Sequence, residues 1–209
     1  MPPGRATVQA GMARGLLYKS PYSQAWRPEP GIEAAQDRRE GEAWLLGGQG
    51  MTVEKLMTKE VRSCGPHDTL AAAAHQMWDG DCGALPVVEG AERRVVGVIT
   101  DRDICMAGYF KGTPLDQIPV ESVMSRIVKS CHPADDLAAA EATMASARVR
   151  RLPVVDASGQ LLGMLSLADI AREAGRKGGG RRSACSPAEV AETVAAIIQP
   201  HRELVATQS

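Results

Sequence analysis

Aromatic side chains are scarce in this chain of 209 residues, where they make up 3% of the sequence with a single phenylalanine. The hydrophobic core must therefore be aliphatic. Proteins that bind single-stranded nucleic acid stack bases on exposed rings, so this scarcity argues against that class. The formal net charge is −1, and a chain without a basic excess has no overall field that attracts nucleic acid. We predict no nucleic-acid partner.

Several patterns that would indicate other classes of protein are absent. No hydrophobic run approaches the roughly 18 residues of a membrane span, so we predict no insertion into a membrane. The five cysteines include no CxxC pair and the four histidines show no HExxH spacing, so we predict no metal site. A Walker loop and a G-x-S-x-G elbow are also missing, which argues against an enzyme. The cysteines are expected to be reduced thiols of a cytoplasmic protein.

What the sequence does contain is an internal repeat. Residues 53–58 (VEKLMT) match residues 120–125 (VESVMS), so that Met57 corresponds to Met124 at an offset of 67. A deletion of one residue later shortens the offset to 66, and Asp103 corresponds to Asp169. A unit of about 60 residues that occurs twice indicates a duplicated half-domain. We place the two repeats at residues 51–119 and 120–175.

Both repeats show the same order of predicted elements, which is β-α-β-β-α. The predicted strands are residues 61–63, 84–88 and 95–99 in the first repeat and 127–130, 152–155 and 161–165 in the second. The first helix has an apolar stripe that includes Trp78, and Asp68 is its expected cap. The last helix of each repeat begins at Thr100 or Ser166. This order predicts a mixed α/β (α+β) fold in which the repeats cover each other's apolar surfaces with pseudo-twofold symmetry.

The segments that flank the repeats differ from them in composition. Residues 1–50 are rich in Gly, Pro, Ala and Arg, which predicts a flexible extension, with a start at Met51 as the alternative reading. Residues 176–185 form a basic, glycine-rich linker. Residues 186–200 predict an amphipathic helix with Ser186 as N-cap and Glu189 in a capping box. Its apolar face needs a surface, either on its own module or on a second subunit.

A hydroxyl and a carboxylate lie three residues apart where the last strand of each repeat passes into the last helix. These pairs are Thr100 with Asp103 and Ser166 with Asp169. Unpaired N–H groups at a helix N-terminus favour an anion such as phosphate, and the carboxylate can accept hydrogen bonds from the vicinal diol of a ribose. The same spacing is also a capping box, which stabilises a helix without a ligand. The duplication copies caps as faithfully as sites.

The repeat resembles the CBS domain, and the pair resembles a Bateman module. The motifs that carry the resemblance are residues 53–58, 83–88 and 97–104 in the first repeat and 123–125, 150–155 and 163–170 in the second. The resemblance covers about 125 of the 209 residues. It implies a small stand-alone bacterial protein with a regulatory role, no required cofactor, a homodimer and an unknown downstream protein. It also implies clefts between the repeats that bind an adenosyl nucleotide, with AMP, ADP or ATP ahead of S-adenosylmethionine or NAD-type compounds.

The resemblance also implies roles for individual residues. Asp103 and Asp169 would hold ribose hydroxyls, and Thr100 and Ser166 would contact ribose or phosphate. The residues expected to lie against the adenine are Val61, Ala84, Leu85 and Pro86 in one cleft and Ile127, Val128, Leu152 and Pro153 in the other. The cations placed for phosphate are Arg102, Arg150 and Arg151. Because the equivalent positions of the other repeat carry no arginine, the two clefts are expected to be unequal.

Two other functions remain open. In the first, the clefts hold no ligand, and the C-terminal helix recruits a partner or dimerises the chain. In the second, Cys82 acts as a thiol redox switch. The equivalent residues Cys64 and Cys131 are interpreted as duplicated packing residues, and Trp78 as a side chain that packs on its helix face.

Overall fold

A computed structural model describes residues 51–175 and 186–198 of the chain. The predicted N-terminal extension, the predicted linker and residues 199–200 of the predicted C-terminal helix lie outside the described residues. The helices are α1 (Leu70–Asp79), α2 (Asp101–Lys111), α3 (Leu137–Ala147), α4 (Leu167–Ala174) and α5 (Pro187–Ile197). The strands are β1 (Ala84–Glu89), β2 (Arg94–Thr100), β3 (Arg151–Val155) and β4 (Leu161–Ser166). Short 3₁₀ turns cover Val53–Lys55, Leu115–Gln117 and Val120–Ser122.

The duplication extends to the details of the two sheets. In each repeat two antiparallel strands form a hairpin, β1 with β2 and β3 with β4. The register shifts once in each hairpin, between Val87 and Val88 in the first and between Val154 and Val155 in the second. These are equivalent positions, so even the irregularity is repeated. The mixed α/β fold is confirmed.

The predicted first strand of each repeat is wrong. Residues 61–63 and 127–130 are not in strands, and each is replaced by a single parallel bridge, at Cys64 on β1 and at Cys131 on β3. The pairing ends there because the chain turns at once. In the first repeat the carboxylate of Asp68 accepts the N–H of the residue after the cysteine at 2.7 Å. Each sheet therefore has two strands, and the predicted first strand is reduced to this one bridge.

The caps of the first helices also differ from the prediction in one position. Thr69, rather than Asp68, caps α1, since its Oγ1 accepts the N–H of Ala72 at 3.1 Å. Asp68 is occupied by the turn that precedes the helix. The last helices begin after Thr100 and Ser166, and the C-terminal helix begins after Ser186, as predicted.

Each repeat has its own aliphatic core, as the composition predicts. The first contains Leu70, Leu85, Val87, Ile99 and Ile104 among its members. The second contains Leu137, Met144, Leu152, Leu165 and Ile170. Every aromatic side chain in residues 51–175 and 186–198 is instead exposed: Trp78 by 86%, Tyr109 by 78% and Phe110 by 49%. The prediction that Trp78 packs on its helix face is wrong, because the core beside α1 is filled by the smaller aliphatic side chains.

The repeats are interlocked through the short segments with which each of them begins. Val53 belongs to the first sequence repeat but is fully buried in the second core, and the N–H of Thr58 donates to the carbonyl of Met164 at 2.9 Å. Val120 is reciprocally buried in the first core, and the N–H of Ser125 donates to Val98 at 2.9 Å. This exchange is the pseudo-twofold packing that the repeat predicts. It also means that the packing units do not coincide with the sequence repeats.

The C-terminal helix α5 covers the second repeat of its own chain. Val190, Val194 and Ile197 pack against the second core beside α3 and α4. Of the two surfaces considered for this helix, its own module is therefore the one used. None of the described helices is long and apolar enough to cross a membrane.

Candidate functional site

The two hydroxyl–carboxylate pairs lie where β2 passes into α2 and where β4 passes into α4. We call the residues around them the first junction (residues 81–84 and 100–106) and the second junction (residues 148–151 and 166–172). Thr100 and Ser166 have extended backbones, with φ of −118° and −117°, which place their side chains over the first turn of the helix. The duplicated sequence thus builds the same local geometry twice.

Both pairs form complete capping boxes. At the first junction Oδ2 of Asp103 accepts the N–H of Thr100 at 3.0 Å and its hydroxyl at 2.7 Å, while Thr100 Oγ1 accepts the N–H of Asp103 at 3.2 Å. At the second junction the corresponding distances between Ser166 and Asp169 are 2.9, 2.6 and 3.2 Å. The cap interpretation is therefore realised, and it uses one carboxylate oxygen of each acid.

The other carboxylate oxygens differ between the junctions. Oδ1 of Asp103 accepts no hydrogen bond from the described residues, so it can receive a donor from a ligand. Oδ1 of Asp169 accepts one from Nη2 of Arg172. The sequence analysis missed Arg172, although its position three residues after Asp169 on a helix is a recognisable signal for an ion pair.

A third capping box shows that the sequence pattern alone does not define a site. Ser186 and Glu189 form it at the start of α5, where the N–H of Ser186 donates to Glu189 at 2.6 Å. Glu189 is exposed. The two capping boxes at the strand–helix junctions differ from this third box because all four of their residues are half-buried. These residues are Thr100, Asp103, Ser166 and Asp169.

The residues predicted to lie against the adenine have different environments. Leu85 and Leu152 are 1% and 0% exposed, and their side chains belong to the two cores. Ala84, Pro86 and Pro153 are buried, but they lie outside both core clusters. The remaining predicted residues have accessible surface: Val61 and Val128 are half-buried, and Ile127 is exposed.

The structure brings two of the three predicted cations to the second junction. Arg151 is the cross-strand partner of Ser166, and the carbonyl of Arg150 accepts the N–H of Leu167 at 2.9 Å. Arg102 lies at the first junction, on an exposed position of α2. Within the part of the chain that the structure describes, none of these three guanidinium groups is paired with a carboxylate.

An open hollow of about 330 Å³ lies beside the first junction. Its lining residues are Ala74, Met77, Trp78, Asp81, Cys82, Gly83 and Asp101. A Cβ at Gly83 would be 2.8 Å from the carboxylate of Asp101, so a larger residue there would require the Asp101 side chain to move. The sequence analysis did not identify Asp81 or Asp101.

The thiols of Cys64 and Cys131, which are equivalent in the two repeats, have environments that fit a packing role. Burial, and to a smaller extent the carboxylates of Asp68 and Asp135, raises the pKa of Cys64 and of Cys131 from 9.0 to about 12. The reactive thiolate is therefore strongly disfavoured at both positions. Cys82 is half-buried and Cys105 exposed, and the four cysteines among residues 51–175 are free thiols. In the same described residues no group of three or more His, Cys, Asp or Glu side chains is placed to hold a metal ion.

Comparison with known proteins identifies the family. Residues 53–109 and 120–176 each match the family model of the CBS domain. The chain is 38% identical over 120 residues to the CBS domain-containing protein YhcV of Bacillus subtilis, which covers 57% of this chain and 83% of that protein. It is similar in structure to Hypoxic Response Protein I with two coordinated zinc ions, at 31% identity and a TM-score of 0.53, over 58% of this chain and 98% of that one. It is also similar to CBSX2 in complex with AMP, at 26% identity and a TM-score of 0.52, over 59% of this chain and 95% of that one.

The two matched segments together span more than half of the chain and coincide with the two interlocked repeats. The fold, the duplicated junctions and the relatives agree with one another. The chain belongs to the CBS-domain family and carries a pair of CBS domains.

Proposed function

We propose that this chain is a regulatory module that binds an adenosyl nucleotide at its strand–helix junctions and signals its presence to a separate protein. The observation that carries the proposal is the pair Thr100–Asp103 and its duplicate Ser166–Asp169, each half-buried at the entrance to a helix. A relative at 26% identity, CBSX2, has been solved in complex with AMP, which supports the choice of an adenosyl ligand.

The chemistry of the junctions matches the polar groups of a nucleotide. Oδ1 of Asp103 can accept from a ribose hydroxyl, and Asp169 can do so if Arg172 turns away. Arg150 and Arg151 provide guanidinium groups, which bind phosphate through charge-assisted hydrogen bonds. The adenine would lie on the accessible apolar side chains of Val61 or of residues 127–128.

The signal requires a change in the module when the ligand binds. A ligand that binds only the folded state at about 100 times its dissociation constant stabilises that state by roughly 2.7 kcal/mol. It acts on a partner only if it binds two arrangements of the module with different affinity. The interlocked segments at Val53 and Val120 connect the two repeats, so a ligand at either junction can affect the packing of both. A downstream protein and a homodimer belong to this proposal as its expected partners.

A thermal-shift titration with AMP, ADP and ATP tests the proposal. The ligand-free chain is expected to melt at a higher temperature when a nucleotide is added. Asp103→Asn combined with Asp169→Asn should abolish that rise, while the asparagine oxygen preserves the cap. A flat response of the unmodified chain to all adenosyl ligands would overturn the proposal.

The third capping box supplies the matched control. Glu189→Gln changes the same kind of cap at α5, where the acid is exposed rather than half-buried. It should lower the melting temperature of the ligand-free chain slightly or leave it unchanged. The rise in melting temperature on adding nucleotide should remain intact. Loss of the rise in this variant would show that cap stability, rather than ligand contact, explains the effect of the aspartate substitutions.

The alternative in which α5 recruits a partner is not favoured. The apolar side chains Val190, Val194 and Ile197 already pack against the second core. A partner would therefore have to displace them before it could use this face.

A further inference from the structure

We infer that the two junctions select adenosyl ligands of different charge: the second junction binds the anionic nucleotides, and the first binds an adenosyl compound without a phosphate. The inference rests on the proposed function and specifies the ligand class of each junction. Four differences between the duplicated junctions support it, in charge, in free N–H groups, in the state of the acid and in the adjoining space.

The charges around the two junctions are opposite. The first junction has three acids and one arginine: Asp81, Asp101, Asp103 and Arg102. The second has four arginines and one acid: Arg148, Arg150, Arg151, Arg172 and Asp169. At the repeat offsets, Asp81 corresponds to Arg148, Asp101 to Leu167 and Met106 to Arg172. Since duplicated positions have equivalent places in the fold, the same part of a bound ligand would meet acids at one junction and arginines at the other.

The backbone donors at the helix N-termini differ in the same direction. At the first junction the N–H of Arg102 donates to the carboxylate of Asp101 at 2.7 Å, so a protein acid already occupies the place of an anion. At the second junction the equivalent N–H, on Ala168, has no partner among the described residues. A phosphate at the second junction therefore gains a backbone donor and guanidinium groups. A phosphate at the first would meet the like charge of Asp101.

The two sugar-binding acids are also in different states. Asp103 keeps Oδ1 available, and the residue one turn later is Met106. Asp169 pairs its Oδ1 with Arg172, whose side chain is 74% exposed. The Asp169 side chain is 11% exposed and keeps its two capping hydrogen bonds from Ser166 when the solvent-exposed guanidinium of Arg172 turns to a phosphate. The first junction thus favours the sugar, and the second favours the phosphate.

The hollow beside the first junction suits a substituent without negative charge. It is lined by Asp81, Asp101 and the exposed indole of Trp78. Two carboxylates and an aromatic face attract a cation or accept an uncharged group, but they repel a phosphate. Suitable adenosyl compounds are 5′-methylthioadenosine, which is uncharged, and S-adenosylmethionine, which carries a sulfonium.

Isothermal titration of the full chain with AMP and with 5′-methylthioadenosine tests the inference. Each ligand is expected to bind one site per chain, and saturation with one should leave the Kd of the other within about twofold. Raising the salt concentration should weaken AMP and leave 5′-methylthioadenosine unchanged, because only AMP binding depends on charge pairs. Competition between the two ligands for one site would overturn the inference.

Substitutions at each junction should separate the two ligands. Arg150→Gln with Arg151→Gln should weaken AMP by about tenfold or more, which corresponds to the loss of one charge-assisted contact, and should leave 5′-methylthioadenosine unaffected. Asp103→Asn should do the reverse. Arg126→Gln, which removes an exposed arginine of the second repeat that lies outside both junctions and pairs with Glu121, is the control and should change neither. Equal weakening of both ligands by the arginine pair would overturn the inference.

A charge transplant provides an independent variant in case the arginine pair perturbs the fold. Asp81→Arg, Asp101→Leu and Met106→Arg together give the first junction the equivalents of Arg148, Leu167 and Arg172, and AMP should then bind two sites per chain. An unchanged stoichiometry would count against the inference. If AMP bound both junctions of the unmodified chain with equal affinity, this inference would be overturned while the proposed function would stand. Failure of both ligands to bind would overturn it together with the proposed function.

Discussion

Replacing Glu141 by glutamine is expected to stabilise the fold at neutral pH and to have no effect near pH 4. Glu141 lies on α3 beneath α5, where it is 7% exposed, and its Oε1 has no hydrogen-bond partner among the described residues. Burial, followed by the nearby carboxylates of Glu189 and Asp136, raises its pKa above the ordinary value of 4.5. The charged form is therefore costly in the folded state.

The sign of the pH dependence follows from this shift. Because the folded pKa lies above the unfolded one, the folded state binds the proton more tightly, and stability is lost as the pH rises from about 4.5 through the folded value. Glutamine keeps the shape without the charge. The gain at pH 7.5 should be about 1–3 kcal/mol, because an unpaired buried group costs more when it is charged and glutamine removes the charge while it remains polar. For a chain of this size it corresponds to a rise in melting temperature of about 2–10 °C.

Urea denaturation between about pH 4 and 8 measures this difference. The two proteins should have equal unfolding free energies at the acid end and diverge as the pH rises. Glu192→Gln is the matched control, since Glu192 is an exposed acid on α5, and it should show no such divergence. If the difference in unfolding free energy between the wild-type protein and Glu141→Gln were constant across this pH range, the reasoning would be refuted.

Three further predictions concern the packing of the repeats. Gly163→Ala should destabilise the fold by about 1–3 kcal/mol in urea denaturation, because its Cβ would be 2.7 Å from the carbonyl oxygen of Thr58. Gly108→Ala should have the opposite sign, because Gly108 lies in a helix and its Cβ would make an ordinary contact with Leu115 at 3.4 Å. Val53→Ala should also destabilise by about 1–3 kcal/mol, because a fully buried side chain of the second core is lost; an unchanged midpoint would contradict the interlocked packing. Alkylation of the native protein at pH 8, followed by peptide mass mapping, should label Cys105 and spare Cys64 and Cys131, whose pKa is about 12. Labelling of all three thiols at equal rates would contradict the burial of Cys64 and Cys131.

Part of the candidate site could be predicted from the sequence, because its geometry is local. Thr100 and Asp103 lie within one helical turn, so a capping box fixes their relation without any distant contact. Arg151 could be placed near Ser166 because the two-stranded hairpin joins them. The burial of the Leu85 side chain in the first core could not be predicted, because a strand's pattern does not say which of its faces is covered by its own core. The hollow at Asp81 was missed because it depends on how separate segments meet, whereas Arg172 was missed although its spacing of three residues from Asp169 is local.

The sequence by itself determined the duplication, the aliphatic character of the core and the starts of the last helices and of α5. These features depend on residues within a few positions of one another or on composition. Only the tertiary structure decided that Val53 enters the core of the other repeat, that the first strand shortens to a bridge at Cys64, and that Trp78 lies in solvent. The reason is that these outcomes depend on which distant surface a segment buries, and many surfaces satisfy the same local pattern.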